Sequence, residues 1–245
     1  MPNISFIITT YNYSKYIEEC LDSILNQDQY EGNKIIIIDD GSQDDTYKII
    51  KNRLSIPSIE YIQIENSGIE VASNYAINKI NSPYFVRVDA DDTLKSQYLS
   101  RFNKQLELKN NNDFFYSDYS VINEFSEIVQ EINLPSFDKE EICRRGDFLA
   151  TGTLYKKEKI DSVGRYDISR KNCGLENFSL ILRLLINGCK GLHIPYSLFN
   201  YRIHSKNMSK KKRISILNYG NELTNNLLKM PYEVNCYHPY GLKID

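Results

Sequence analysis

Two runs of apolar, largely β-branched residues that end in carboxylates constrain this chain more than anything else in it. They are Ile35-Ile36-Ile37-Ile38-Asp39-Asp40-Gly41-Ser42 and Tyr84-Phe85-Val86-Arg87-Val88-Asp89-Ala90-Asp91-Asp92. Apolar runs without alternation read as strands buried on both faces, the habit of parallel sheets covered by helices. Ligands of open α/β sheets bind beyond the carboxyl ends of such strands. The two acidic ends are therefore expected to share one crevice, where carboxylates suit a divalent cation and, through it, a phosphorylated ligand.

The first hundred residues alternate strand and helix patterns, as βαβ units do. Ile4 to Thr9 reads as a strand, and Ile17, Cys20, Leu21, Ile24 and Leu25 form the apolar stripe of a helix with Ser14 as candidate cap. Lys34 to Ile38 is a second strand, followed by a helix capped by Asp44 or Asp45 and running to about Arg53. Ile59 to Ile64 is a third strand, and a helix from about Glu70 to Lys79 buries Ala72, Ala76 and Ile77. Tyr84 to Val88 is a fourth strand, before a helix with Leu99, Phe102 and Leu106 on one face.

From Phe114 the pattern becomes mixed. Phe114 to Val121 and Ile128 to Ile132 read as a hairpin, Thr151-Gly152-Thr153 as a strand, Glu176 to Asn187 as a helix closed by Gly188, and Gly191 to Ile194 as a short strand. The helix should bury Phe178, Ile181, Leu182 and Leu185. The basic run Lys210-Lys211-Lys212-Arg213 opens a last helical stretch with Ile214, Leu217, Leu223, Leu227 and Leu228. It is read either as a solvated run before a packing helix or as a contact with an anionic membrane.

Composition narrows the class. A chain of 245 residues with 41% hydrophobic content can bury a full core without disulfides or metal. Its formal net charge of -2 argues against a general nucleic-acid binder. Five cysteines, Cys20, Cys143, Cys173, Cys189 and Cys236, are odd in number and lack metal-ligand spacing, so they read as reduced thiols of a cytoplasmic protein. Met1-Pro2-Asn3 leads straight into a strand, with no signal-like region and no apolar span of ~18 residues.

Each acidic cluster alone is ambiguous. Asp89 and Asp91, two apart on extended backbone, point to one side and can hold a hard cation against a diphosphate, yet Asp-rich turns also cap helices. Asp39-Asp40-Gly41-Ser42 could edge a phosphoreceiver domain, but the chain is about twice too long for one. A nucleoside-triphosphatase would need a Gly-x-x-x-x-Gly-Lys-Ser/Thr loop, which is absent.

Order makes the pieces specific. Ile7-Ile8-Thr9-Thr10-Tyr11-Asn12, Asp39-Asp40-Gly41-Ser42-Gln43-Asp44-Asp45-Thr46, Asn66-Ser67-Gly68, Val88-Asp89-Ala90-Asp91-Asp92 and Tyr201-Arg202-Ile203-His204 together resemble glycosyltransferase family 2, over about Ile4 to Ser209. The resemblance implies an α/β GT-A fold, a Rossmann-like mixed sheet flanked by helices. Residues 1–110 would be the nucleotide-sugar-binding half, 111–209 a smaller acceptor-binding half, and 210–245 a basic, helical C-terminal tail. It implies inverting transfer from a nucleotide-diphosphate sugar, most often UDP-linked, with Mn²⁺ or Mg²⁺ as cofactor.

Carried over by residue, the resemblance puts Thr9, Tyr11 and Asp40 around the base and Asp39 near the nucleoside, with Asn12, Asn66 and Ala90 also in the nucleotide site. Asp89 falls at the ribose or the metal's water shell, and Asp91 is the metal ligand. Asp92 is a second ligand or a helix cap. Arg202 would face the diphosphate, and His204 would complete the metal site. The acceptor hydroxyl must lose a proton, which the family usually gives to the Asp of a Glu-Asp pair at a helix start. Here the pair is Glu176-Asn177, and an amide accepts no proton. Either Glu176 is the base, the favoured reading, or another carboxylate such as Asp167 approaches, or the protein binds donor and transfers poorly. A second departure is Ser73, where the family often has arginine.

For the acceptor, Arg144-Arg145-Gly146-Asp147 and Thr151-Gly152-Thr153 fall where the family lines its cleft. The expected acceptor is a hydroxyl of a saccharide or lipid-linked saccharide in bacterial surface-glycan assembly, with peripheral membrane contact through 210–228 at the inner face of the plasma membrane. Two alternatives stand beside this reading: a non-catalytic nucleotide-sugar-binding protein of the same fold, and a sugar nucleotidyltransferase. The latter would need a Gly-rich loop where this chain has Thr9-Thr10-Tyr11-Asn12.

Overall fold

The computed structural model describes residues 3–108, 111–145 and 152–232. Four parallel strands, β1 (Ile4–Thr10), β2 (Lys34–Asp39), β3 (Ile59–Gln63) and β4 (Tyr84–Asp89), are linked by α1 (Ile17–Leu25), α2 (Thr46–Ile50) and α3 (Ile69–Lys79). After them come β5 (Thr93–Leu94), α4 (Tyr98–Glu107), β6 (Phe114–Ile122), β7 (Ile128–Ile132), α5 (Lys139–Arg145), β8 (Leu154–Lys156) and α6 (Lys157–Ser162). The last elements are α7 (Glu176–Ile186), β9 (Gly191–Arg202), α8 (Met208–Lys211) and α9 (Arg213–Leu228).

One sheet carries both halves, in the order β3-β2-β1-β4-β8-β6-β9-β5 with β7 on β6. The short β8 runs antiparallel to both β4 and β6, and β9 is parallel to β6. The carboxyl ends of β1, β2, β4, β6 and β9 therefore meet at one edge, which brings Asp39, Asp89 and Arg202 together. Every residue of β1 is buried, as its unbroken apolar run requires, and α1 seals that sheet with Ile17, Cys20, Leu21 and Ile24. Burying each such side chain is worth about 1.5–3 kcal/mol, so Leu21→Ala costs roughly 2–5 kcal/mol once the cavity is counted.

Several local expectations are corrected. Tyr16, not Ser14, stands at the head of α1; the Ser14 N–H instead donates to Asp44 Oδ2 at 3.0 Å. The stretch after Asp45 forms α2 and then a tighter 3-10 turn, Lys51–Arg53, and Asp44 accepts the Thr46 N–H at 3.0 Å. Asp92 caps no helix, because β5 intervenes before α4 begins at Tyr98. The strand expected at Thr151-Gly152-Thr153 starts at Leu154; Gly152 lies in a turn, and Thr151 falls outside the described residues, as do Gly146, Asp147 and Cys236. The segment from Gly191 is one long strand along β6, because Pro195 and Tyr196 are skipped in the register as a bulge that spares the missing proline N–H.

The end of α7 follows expectation. Gly188, at φ 80°, sends its N–H to the Leu185 carbonyl and the Cys189 N–H goes back to the Leu184 carbonyl, the double closure that a left-handed residue permits. Helix α9 turns Ile216, Tyr219 and Leu223 into the core and leaves Ile214 76% exposed. Among the described residues no helix is long and apolar enough to cross a membrane.

Candidate active site

A cleft of about 390 Å³ opens at the carboxyl edge, between the β1–α1 loop and the α8 segment. Thr9, Tyr11, Asn12 and Asp40 line one wall, and Lys206 and Lys211 stand on the other. The Thr9 and Thr10 hydroxyls are buried without a hydrogen-bond partner among the described residues. Orphaned hydroxyls at a cleft wall favour a ligand that supplies polar edges. Asn12 holds a left-handed backbone, φ 60°; its N–H donates to Ser42 Oγ at 2.9 Å and its Oδ1 accepts the Gln43 N–H at 2.8 Å. Those two bonds fix the β1 and β2 loops to each other.

Asp40 builds the wall with its carboxylate, which accepts the N–H groups of Ser67 at 2.6 Å and Gly68 at 2.9 Å. Gly68 admits that approach: at φ 99° a Cβ there would sit 2.7 Å from Lys171 Cγ. Asn66 supports the same turn, donating to the Asp40 carbonyl at 2.8 Å and accepting from Lys171 Nζ at 2.6 Å, so its side chain is spent on structure. Asp39 does not reach the cleft. It is fully buried, accepts the Ser42 N–H and the Tyr61 hydroxyl at 2.7 Å each, and with burial helps push the Tyr61 phenol pKa up. Ala90, 1% exposed, is packing material and offers nothing to a ligand.

Beside the cleft stands Asp91, whose Oδ2 lies 2.9 Å from His204 Nε2. Because His204 Nδ1 accepts the Lys206 N–H at 3.1 Å, the ring proton belongs on Nε2, which donates to Asp91. In this arrangement both ring nitrogens are engaged, Nδ1 by the Lys206 N–H and Nε2 by Asp91, so His204 orients the Asp91 carboxylate. Tyr13 also bonds Asp91; burial, then the Asp91 and Asp89 charges, push its phenol pKa well up, which keeps it a donor. The contacts from His204 and Tyr13 leave the Asp91 carboxylate with acceptor capacity for a hard cation, so the donor set fits Mg²⁺ or Mn²⁺.

Arg202 is placed quite differently from a diphosphate clamp. It is 0% exposed; Nε donates to the Asp91 carbonyl at 2.7 Å, Nη1 to the Asn123 carbonyl at 3.1 Å and Ser126 Oγ at 2.9 Å, and Nη2 to Glu19 Oε2 at 2.7 Å. Its backbone N–H goes to Asp92 Oδ1 at 2.8 Å, the role Asp92 plays here. The guanidinium ties the β6–β7 hairpin tip and α1 to the Asp91 turn. Cations at the cleft come instead from Lys206 and Lys211, opposite the α3 wall where Ser73 is buried.

Glu176 begins α7, outside the cleft lining, and its Oε1 accepts Arg87 Nη2 at 2.9 Å. The same Nη2 lies 3.2 Å from Asp89 Oδ1. Asn177 Oδ1 accepts the Tyr166 hydroxyl at 3.2 Å. Asp167, the other carboxylate considered, is held in a turn by the Ser169 N–H, which lowers its carboxyl pKa. Glu70, Cys173 and Glu176 offer ligand atoms within 4.8 Å of one another. Both Glu70 oxygens, however, accept backbone N–H groups of Asn172 and Cys173, and burial followed by the Glu176 charge pushes the Cys173 thiol up, so this cluster reads as a loop clamp. Arg87, Tyr13 and Lys206 are not among the residues the sequence singles out, and Lys211 enters there only within a basic run read as solvated surface or membrane contact; Arg87 carries a signal as a lone charge inside an apolar strand.

The sheet order, the Asp-ended strands and the crevice at their carboxyl edge define a GT-A fold. Solved structures agree: Staphylococcus aureus TarS 1-349 in complex with UDP-GlcNAc matches with a TM-score of 0.75 and 16% identity, over 90% of this chain and 65% of that one. The mannosyltransferase PcManGT of Pyrobaculum calidifontis, in complex with GDP-Man and Mn²⁺, matches with 0.70 and 16%, over 96% and 66%. The profile of glycosyl transferase family 2 matches residues 5–164, and the chain belongs to that family. It is 29% identical to the O-antigen biosynthesis glycosyltransferase WbnJ of Escherichia coli, over 84% of this chain and 82% of WbnJ. It is 32% identical to an Escherichia coli chondroitin synthase over 86% of this chain, and 25% identical to Streptococcus pneumoniae glycosyltransferase GlyA over 84%. The chain spans only 30% and 31% of the length of those last two.

Proposed function

We propose that this chain is a metal-dependent inverting glycosyltransferase that moves a sugar, a hexose or N-acetylhexosamine, from a nucleoside diphosphate to a saccharide or lipid-linked saccharide hydroxyl. The observation that carries the reading is the cleft itself: orphaned threonine hydroxyls and Asp40 on one wall, two lysines on the other, and Asp91 held at its side by His204 and Tyr13. UDP is the first donor to test, because the TarS neighbour binds UDP-GlcNAc; GDP is the second, because PcManGT binds GDP-Man. Relatives named for O-antigen and chondroitin synthesis support bacterial surface polysaccharide, lipopolysaccharide or capsule as the product.

In this reading residues 1–110 supply the base-binding wall of the donor site and 111–209 the acceptor site, with Lys206 and Lys211 reaching back over the donor. Thr9, Tyr11, Asn12 and Asp40 receive the base, and Lys206 and Lys211 meet the diphosphate charge. Asp91, with Asp89 nearby, would hold Mg²⁺ or Mn²⁺, whose chemistry is Lewis-acid stabilisation of a departing diphosphate. The acceptor oxygen attacks the anomeric carbon as the carbon–oxygen bond to the diphosphate breaks, and the acceptor's proton passes to Glu176. Glu176 is suited to this by the oxygen that Arg87 does not occupy. Contact with an anionic membrane at an inner leaflet would use the exposed Ile214 and Lys212, and flotation with anionic vesicles tests it.

Incubation with UDP-sugars and Mn²⁺ tests the whole proposal. Release of UDP that is lost in Glu176→Gln, with UDP affinity intact, is the expected result; equal release by both proteins would sink the base assignment. A second reading rests on Asn177, whose amide accepts a hydroxyl and no proton: a donor-binding protein with weak turnover.

A further inference from the structure

Two buried arginines flank the proposed reaction centre, and they are used in opposite ways. Arg202 spends Nε, Nη1 and Nη2 on hydrogen bonds, as a structural arginine does. Arg87, only 3% exposed, makes no hydrogen bond through Nε or Nη1 among the described residues. Leaving buried charged donors unpaired is costly, so a fold that tolerates it gains something from the one nitrogen in use. That nitrogen, Nη2, sits between Glu176 Oε1 at 2.9 Å and Asp89 Oδ1 at 3.2 Å. Those two oxygens can be no further apart than the two contacts laid end to end. The guanidinium also lies 5.4 Å from the ring centre of Tyr166, whose hydroxyl holds Asn177.

The two carboxylates belong to different parts of the fold. Asp89 ends β4, on the donor side, and Glu176 begins α7, after a loop fastened to α3 by Glu70. Among the described residues the hydrogen bond from Arg87 is what joins the Glu176 carboxylate to the sheet. We propose that Arg87 is a positioning residue: by occupying Glu176 Oε1 it fixes the distance between the acceptor-side carboxylate and Asp89, and aims the second Glu176 oxygen at the acceptor hydroxyl. The inference rests on Glu176 as the proton acceptor. Lysine, a single point donor on a flexible stem, can restore the charge without the planar geometry.

The test is a mutant cycle of Arg87→Met, Arg87→Lys and Glu176→Gln, scored by kcat and KM on whichever UDP-sugar the wild-type chain turns over, and by calorimetric UDP affinity. Arg87→Met should lower kcat about 100-fold, the scale of an ångström-sized misplacement, with donor KM and UDP affinity unchanged. Arg87→Lys should recover part of the loss, and Arg87→Met should cost nothing further in a Glu176→Gln background. Equal losses in both backgrounds, or a loss that appears in KM and UDP affinity, would overturn the positioning role while leaving Glu176 as base. Wild-type turnover by Glu176→Gln, or a wild type that binds UDP and turns over no donor, removes the reading beneath it and this inference together. Should Arg87→Met fail to fold, the cycle is closed with Arg87→Lys, whose effect must likewise vanish in Glu176→Gln.

Discussion

Replacing Arg202 by methionine separates a structural arginine from a ligand-binding one. Methionine keeps much of the apolar stem but donates nothing, so the Asp91 and Asn123 carbonyls and Ser126 Oγ lose their donor, and Glu19 loses its ion pair. The three bonds to uncharged acceptors are each worth about 1 kcal/mol net. Glu19 is 46% exposed, so solvent screening leaves its pair at well under 1 kcal/mol. The total is roughly 3–4 kcal/mol, which for a chain of this size lowers Tm by about 10 °C. Thermal unfolding by calorimetry, without and with UDP, measures it directly. If Arg202 bound the diphosphate instead, Tm without nucleotide would hold near the wild-type value and the shift that UDP produces would shrink. That outcome would refute the placement of Arg202 described above.

The remaining predictions concern the cleft and the base. Lys206→Ala with Lys211→Ala should weaken UDP binding at least tenfold and flatten its salt dependence, while leaving uridine binding almost unchanged; isothermal titration at two ionic strengths checks both. Asn177→Asp places a carboxylate beside Glu176 and against the Tyr166 hydroxyl, and should raise donor turnover if the wild type is limited by its base; unchanged turnover assigns the proton wholly to Glu176. Tyr13→Phe removes a hydroxyl donor to Asp91 and should loosen metal-dependent UDP binding severalfold without changing metal-free binding.

The parallel half was legible in the sequence because its strands are apolar runs and its helices repeat at helical spacing, each a local signal. Asp40 and Asp91 were legible as carboxylates at strand ends, and their place at the crevice edge follows from the sheet order. What escaped was set by partners far along the chain. Arg202 is buried by Glu19, Asn123 and Ser126, and a Tyr-Arg-Ile-His motif says nothing of those residues. His204 loses its free nitrogen to a backbone N–H two residues on, a matter of loop geometry. Lys211 sits in a basic run that reads as solvated surface until α8 folds it over the cleft. The length of β9 was hidden by Pro195, which would end a strand anywhere but at a bulge.

The central claim is that Asp91 and the cleft beside it bind a metal-nucleoside diphosphate. Titrating UDP into wild type and Asp91→Asn, with and without Mn²⁺, tests it most directly. The account predicts that Mn²⁺ tightens UDP binding to the wild type and that Asp91→Asn loses this increment while keeping the weaker metal-free affinity. UDP binding that ignores Mn²⁺ in the wild type, or an undiminished Mn²⁺ increment in Asp91→Asn, would contradict it.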